Sequence, residues 1–234
     1  MYDRVEKLLV KTQKRDVELE KRIKLYDQLI SEGKVPASSK VIPVNKSLDS
    51  KQWILPAQQA AEILRNARRF ALGDCGCRSK QKHCDKPVED ICFSINDAAE
   101  ERVRKGIARY VSLDEALERL NLADEYGLVH LTIYNPEQHV FALCSCCECC
   151  CHELRMVQMY ERGDLVIHSD YIAVVATESC INCGVCIDRC AFGAQEQHDM
   201  VVYHSKKCYG CGLCVTTCPV GAITLNLRTP TNSC

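Results

Sequence analysis

The sequence predicts an α+β chain: a mainly helical, cysteine-rich N-terminal part that contains one β-hairpin, followed by a small module built from a duplicated unit. Three observations predict it. Cys180, Cys183, Cys186 and Cys190 recur 28 residues later as Cys208, Cys211, Cys214 and Cys218. Upstream, apolar residues keep helical spacing over several stretches. Between two of those stretches, Asn135-Pro136-Glu137-Gln138 separates two strand-like runs.

The elements follow in order. Val5, Leu9, Thr12, Asp16, Leu19, Ile23, Tyr26 and Ile30 alternate steps of three and four, which predicts a helix from Asp3 to Glu32 that Gly33 ends. Thr12 and Asp16 interrupt the stripe, so a long coiled coil is not expected. The helix packs on its own domain or docks a partner. Val35 to Ser50 carries Pro36, Pro43 and several serines and reads as a linker. A second helix starts near Pro56, turns Ala60, Ile63, Leu64, Ala67 and Ala71 inward, and leads directly into Cys75. A third helical region spans Asp97 to Tyr110. Ser112 and Glu115 match a capping box, opening a helix that runs to Gly127. Leu128 to Tyr134 and His139 to Leu143 form the hairpin, and a short helix covers Glu153 to Arg162. Ile172 to Ala176 and Val201 to His204 are strand-like and precede the two cysteine quartets. The expected organisation is an N-terminal helix and linker (1–53), a cysteine-rich α+β domain (54–170), the duplicated module (171–227) and a tail (228–234).

Composition narrows the chemistry. The chain has 234 residues, 47% hydrophobic and 26% charged, with few aromatics and 19 cysteines. Disulfides would need an oxidising compartment. The start, Met1 to Lys7, alternates charged and apolar residues and lacks the apolar stretch of a secretion signal. No apolar run approaches the ~20 residues of a membrane helix; the longest is Tyr171 to Ala176. The expectation is a cytoplasmic protein without a membrane span, its thiols reduced or bound to metal. The near-neutral charge of −1 gives no support to nucleic-acid binding.

Each quartet reads C-x2-C-x2-C-x3-C, with Gly184, Gly193 and Ala194 recurring as Gly212, Gly221 and Ala222. Soft thiolates at this spacing suit an iron–sulfur cubane. Zinc is the other reading, although paired C-x2-C zinc sites usually carry a longer spacer. Residues 171–227 closely resemble the bacterial two-[4Fe–4S] ferredoxin family. That resemblance implies a ferredoxin-like ββ/α module, one-electron transfer, and crossed ligand sets. One cluster would take Cys180, Cys183, Cys186 and Cys218; the other would take Cys208, Cys211, Cys214 and Cys190. Two such clusters would carry the chain from −1 to about −5. Gly184, Gly210 and Gly212 would let backbone amides approach the sulfurs. One departure is visible: Pro219 follows Cys218, but Ala191 follows Cys190, so a looser turn is expected there.

Ten more cysteines lie upstream: Cys75, Cys77, Cys84, Cys92, Cys144, Cys146, Cys147, Cys149, Cys150 and Cys151. Six in eight residues exceed what a core needs from a small apolar residue. Two further cubanes, one cubane with spare thiols, or a zinc site using His83, His152 or both all fit. At least one further iron–sulfur cluster is the favoured reading. Adjacent pairs such as Cys146-Cys147 point in different directions and suit different sites. Arg78 either stabilises a thiolate or cluster charge or is a surface arginine. Cys234 reads as an unliganded tail thiol. Cys75-Gly76-Cys77-Arg78, Cys84-Asp85-Lys86-Pro87, Ala123 to His130 and the Cys144 to Cys151 run resemble a group of anaerobe 4Fe–4S binding proteins, a likeness that implies clusters but no reaction.

The function expected is an electron-transfer protein, or the relay subunit of an anaerobic redox complex, with redox partner proteins docking through the N-terminal helix or on charge. The alternative is a disulfide or small-substrate reductase working at Cys75 to Cys151. Against it, G-x-G-x-x-G and the P-loop pattern are absent, and Glu148 follows Cys146-Cys147 where heterodisulfide-reductase-like subunits carry glycine. A third reading, a nucleic-acid-binding sensor using Arg65, Arg68 and Arg69, rests on three arginines alone.

Overall fold

A computed structural model describes residues 16–44, 60–137 and 139–228. The first half of the expected N-terminal helix, the helix start at Pro56 and the tail with Cys234 lie outside the described residues.

Helix α1 (Val17–Ser31) begins where the heptad stripe turns polar, because Asp16 is its N-cap and accepts a hydrogen bond from the Leu19 amide at 3.2 Å. Leu19, Ile23 and Tyr26 are buried, and they pack with Met156 and Leu165 of the same chain. Buried Glu153 receives the Arg22 guanidinium at 2.8 Å, and Arg155 pairs with Asp16 at 2.9 Å. The described apolar face of this helix is therefore covered by its own protein.

The centre of the molecule is a seven-stranded sheet, where the sequence predicted a mainly helical region with one hairpin. Its order is β4 (Arg109–Tyr110), β2 (Phe70–Gly73), β3 (Cys92–Ile95), β6 (His139–Cys146), β5 (Val129–Asn135), β1 (Ser39–Ile42), β7 (Val166–Ile167). All neighbours run antiparallel except β1 and β7. The β5–β6 hairpin is the predicted one. The other strands are short, four residues or fewer, and show no alternation long enough to read. Residues 39–42 form an interior strand rather than part of a linker. Helix α2 (Ala60–Asn66) stops before Ala71, which lies in β2, so a strand delivers the chain to Cys75. The third helical region ends early: α4 covers Asp97–Arg104, and Arg109–Tyr110 is an edge strand.

Helix α5 (Leu113–Glu125) opens as its capping residues predict, with Ser112 Oγ accepting from the Glu115 amide at 3.2 Å. Glu115 itself pairs with Arg109. Short α3 (Gly76–Gln81) and α6 (His152–Tyr160) each start immediately after a cysteine, Cys75 and Cys151. No helix among the described residues is long and apolar enough to cross a membrane.

The duplicated module has twofold internal logic. Each repeat is a strand, a cysteine loop, a short helix and a second strand. Repeat one supplies β8 (Tyr171–Val175), α7 (Val185–Arg189) and β9 (Gln195–Gln197). Repeat two supplies β10 (Val201–Tyr203), α8 (Leu213–Thr217) and β11 (Ile223–Leu227). The outer strands β8 and β11 pair with each other, as do the inner β9 and β10, all antiparallel. The pairing thus exchanges strands between repeats.

Candidate metal centres

Two cavities in the module each gather four cysteines. One is lined by Cys180, Cys183, Cys186 and Cys218. The other is lined by Cys190, Cys208, Cys211 and Cys214. In each set the last cysteine of one repeat joins three of the other. Burial pushes the Cys186 thiol up to about 11 and that of Cys214 up to about 12, with neighbouring cysteine charges adding to both. Thiolates held this way need a cation to be stable, and four soft sulfurs around a cavity fit an iron–sulfur cluster.

Two backbone amides supply hydrogen bonds to sulfur that the sequence did not reveal. Ala194 N–H donates to Cys190 Sγ at 3.3 Å, and Ala222 N–H donates to Cys218 Sγ at 3.3 Å. The recurrence of Ala194 and Ala222 in the repeat was the available signal. The two turns also match: Cys190 and Cys218 share similar backbone angles. Ala191 in place of proline has not loosened the sulfur contact, and the Ala191 carbonyl accepts from Gln158 at 2.5 Å. Gly210 answers a closer constraint than amide access. Its φ is +70°, and a Cβ there would stand 2.0 Å from the Tyr171 carbonyl oxygen. The matching position in repeat one is Asn182, also left-handed at φ 56°, whose side chain accepts from the Val201 amide at 3.1 Å.

The ten upstream cysteines separate into a group of six and a group of four. Cys75, Cys77, Cys151, Cys146, Cys144 and Cys92 form a closed ring in which the ionisation of each thiol is governed chiefly by its two neighbours. The shifts alternate in direction around it. Hydrogen bonds from neighbouring thiols pull Cys75 down to about 2 and Cys144 to about 5, and lower Cys151 as well. Cys77, Cys92 and Cys146 are raised because they are the donors. Cys75 and Cys151 occupy the N-cap positions of α3 and α6, where the positive helix end favours a thiolate.

The remaining four, Cys84, Cys147, Cys149 and Cys150, have sulfurs that all lie within 4.8 Å of one another. The adjacent pairs Cys146-Cys147 and Cys150-Cys151 are each split between the two groups. Neither His83 nor His152 joins them: His83 Nδ1 instead contacts the Cys149 carbonyl at 2.8 Å.

Arg78 links the two groups. It is 1% exposed, which rules out a surface arginine. Its guanidinium donates to the carbonyls of Pro87 at 2.6 Å and Ser145 at 2.8 Å, and contacts Cys147 Sγ at 3.9 Å. Burial disfavours its charge, but Cys75, Cys92 and Cys147 outweigh burial and raise its pKa. Its Nη2 is buried without a hydrogen-bond partner among the described residues, which fits an anionic thiolate–metal group beside it. Arg65 lies on α2, but Arg68 and Arg69 follow its end at Asn66, so the three do not share one helix, and each is paired with an acid (Glu62, Asp97 and Glu100).

A triad-like set, Ser145, His130 and Asp124, is linked at 3.1 and 2.8 Å. All three are buried, so the set braces the hairpin against α5 and offers no access to a substrate.

The second module cavity and the ring meet in one apolar core. Tyr209, Cys211 and Leu213 pack there with Val129, Leu131, Cys146, Cys151 and Leu154. The Val44 amide donates to the Cys211 carbonyl at 2.9 Å across the same seam. Residues 179–222 match the family model for a 4Fe-4S dicluster domain. No curated protein matches the chain.

Proposed function

We propose that this chain, with an iron–sulfur domain at residues 179–222, is an electron relay whose two module clusters connect a partner at the surface to a further cluster in the six-cysteine ring. The observation that carries the reading is the placement of the cysteine groups. The Cys180 set lies at the solvent end, with Cys183 exposed. The Cys208 set faces inward and shares its apolar core with ring members Cys146 and Cys151. Ligands are proposed as the crossed sets, two [4Fe–4S] clusters in all. When bound, such clusters accept and release single electrons.

The chain's residues do the rest. Ala194 and Ala222 hold sulfur charge through their amides. Tyr209, Leu213 and Phe192 keep water from the inner set, with Phe192 stacked on Tyr209 at 4.2 Å.

The twofold relation supports a docking site for a partner on the outer loop. Tyr209 and Leu213 are buried against the body of the chain, whereas their repeat-one counterparts Ile181 and Val185 are 60% and 42% exposed. The outer loop presents to solvent the same positions that the inner loop presents to protein. A redox partner protein is proposed to cover Ile181, Val185 and Val220. A reducing, cytoplasmic setting within an anaerobic redox complex suits eighteen thiols without a disulfide among the described residues. Ring thiols that are buried or half-buried favour relay over reductase chemistry.

Anaerobic purification with iron and sulfide counts tests this reading, combined with spectroelectrochemistry. Roughly twelve irons per chain, with reversible one-electron steps in the lower part of the ~−700 to +450 mV span, are expected. Roughly eight irons would confine clusters to the module and remove the ring from the relay.

A further inference from the structure

The four-cysteine group differs in kind from the module's sites. Cys84 Sγ lies 3.8 Å from Cys147 Sγ and 4.0 Å from Cys150 Sγ, and Cys149 Sγ lies 3.8 Å from Cys150 Sγ. A single tetrahedral ion with metal–sulfur bonds of about 2.3 Å sets its sulfurs about 3.8 Å apart along each edge. A cubane places an iron between every thiolate and the cluster centre, so its cysteine sulfurs stand beyond contact. In the module, each set of four cysteines instead lines its own cavity. Among the described residues, the four-cysteine group is the one whose sulfurs all lie within 4.8 Å of one another, the compactness of a single ion.

We propose that Cys84, Cys147, Cys149 and Cys150 bind a single structural zinc ion. Four sulfurs of equal type and no free coordination position describe a closed structural site rather than a catalytic one. At matched geometry, divalent zinc binds more tightly than ferrous iron. The site is placed to shape what surrounds it. Cys84 lies in the loop after α3, and the other three come from the turn after β6. An ion shared by them ties the segment bearing Cys75, Cys77 and Cys92 to the segment bearing Cys144, Cys146 and Cys151. The zinc would thus hold the two halves of the ring in register. Arg78 and the Lys86–Glu148 pair at 3.7 Å sit beside it, and Arg78 offsets the negative charge of a tetrathiolate. Zinc carries no electrons, so this assignment stands whether or not the relay does.

The test is elemental analysis of the full chain, purified anaerobically from zinc- and iron-supplemented cells, with zinc-edge X-ray absorption. One zinc per chain with four sulfur neighbours at about 2.3 Å is expected. Cys84→Ala and Cys149→Ala should each lose the zinc while the module keeps its iron and visible absorbance. A mixed nitrogen–sulfur shell would overturn the ligand set. So would zinc retained in both variants. Iron in place of zinc, seen as a mononuclear iron–thiolate spectrum or as added cluster iron with no zinc, would overturn the metal. The absorption measurement needs no variant, so a failure of either variant to fold leaves the test decisive.

Discussion

Replacing Gly210 by alanine isolates the contact that seats the inner cysteine loop on β8. Two costs are separable. A left-handed backbone costs an alanine about 1 kcal/mol relative to glycine. The new Cβ would also stand 2.0 Å from the Tyr171 carbonyl oxygen and 2.4 Å from Ser169 Oγ. Relieving that overlap parts the loop from β8 and endangers two hydrogen bonds, Ser169 Oγ to the Gly210 carbonyl at 2.8 Å and the Ser169 amide to the Tyr209 carbonyl at 3.0 Å. At about 1 kcal/mol each, these bring the total to about 3 kcal/mol. For a protein of this size each kcal/mol moves Tm by about 2–4 °C, giving a fall of about 6–12 °C. Gly221→Ala is the control: φ is +64°, but nothing lies within 4 Å of the added Cβ, so only the backbone cost of about 1 kcal/mol remains. Gly210→Asn should behave like the alanine variant, since asparagine tolerates the backbone but not the overlap. Anaerobic thermal unfolding followed by circular dichroism reads all three. Equal shifts for Gly210→Ala and Gly221→Ala would refute the contact argument.

Other substitutions probe the remaining features. Arg78→Met leaves thiolates of two sites without their buried cation, and should cost about 3–5 kcal/mol together with metal lost upstream; Arg78→Lys should not rescue it, because the two carbonyl contacts need a planar fork. Metal per chain and denaturant midpoints measure both. If the ligand sets cross, electron paramagnetic resonance of reduced Cys218→Ser should match that of Cys183→Ser, and Cys190→Ser should match Cys211→Ser; the opposite pairing would show uncrossed sets. Ser112→Ala removes the α5 cap and should cost about 1 kcal/mol with metal content unchanged. Burial opposes ionisation of Asp16, yet the Leu19 amide and Arg155 together hold its carboxyl below the ordinary value. Its contribution is present above the unfolded pKa and fades as pH falls through the folded one, so Asp16→Asn should flatten the acid limb of the stability profile.

What the sequence disclosed follows from how locally each feature is encoded. The hairpin, the Ser112 cap and the stops at Gly33 and Gly127 are set by a few neighbouring residues, and all were readable. The duplicated quartets were readable because spacing alone carries them. The sheet was not. Ser39–Ile42, Phe70–Gly73 and Cys92–Ile95 are four residues each, and their pairing is decided by partners distant in sequence. Asp16 looked like a defect in a heptad and is a helix cap, a distinction that depends on where the helix starts. The division of ten cysteines into six and four could not be derived from spacing, because Cys84 and Cys92, eight residues apart, go to different groups. Arg78 likewise looked as much like a surface residue as a buried one until its carbonyl partners were placed.

The seam between module and body holds one more consequence. Arg189, in repeat one, donates to the carbonyls of Asp124 and, at 3.0 Å, Glu125, at the C-terminal end of α5. Gly127 leaves the space, since a Cβ there would meet Arg189 Nη1 at 2.7 Å. The repeat-two counterpart of Arg189 is Thr217. A nearly symmetrical part could be fitted two ways round, and this arginine, with buried Tyr209 and Leu213, favours one. A chain folding its two units separately would thereby be protected from joining them back to front, a fault that would leave every cysteine in place and turn the exposed loop inward.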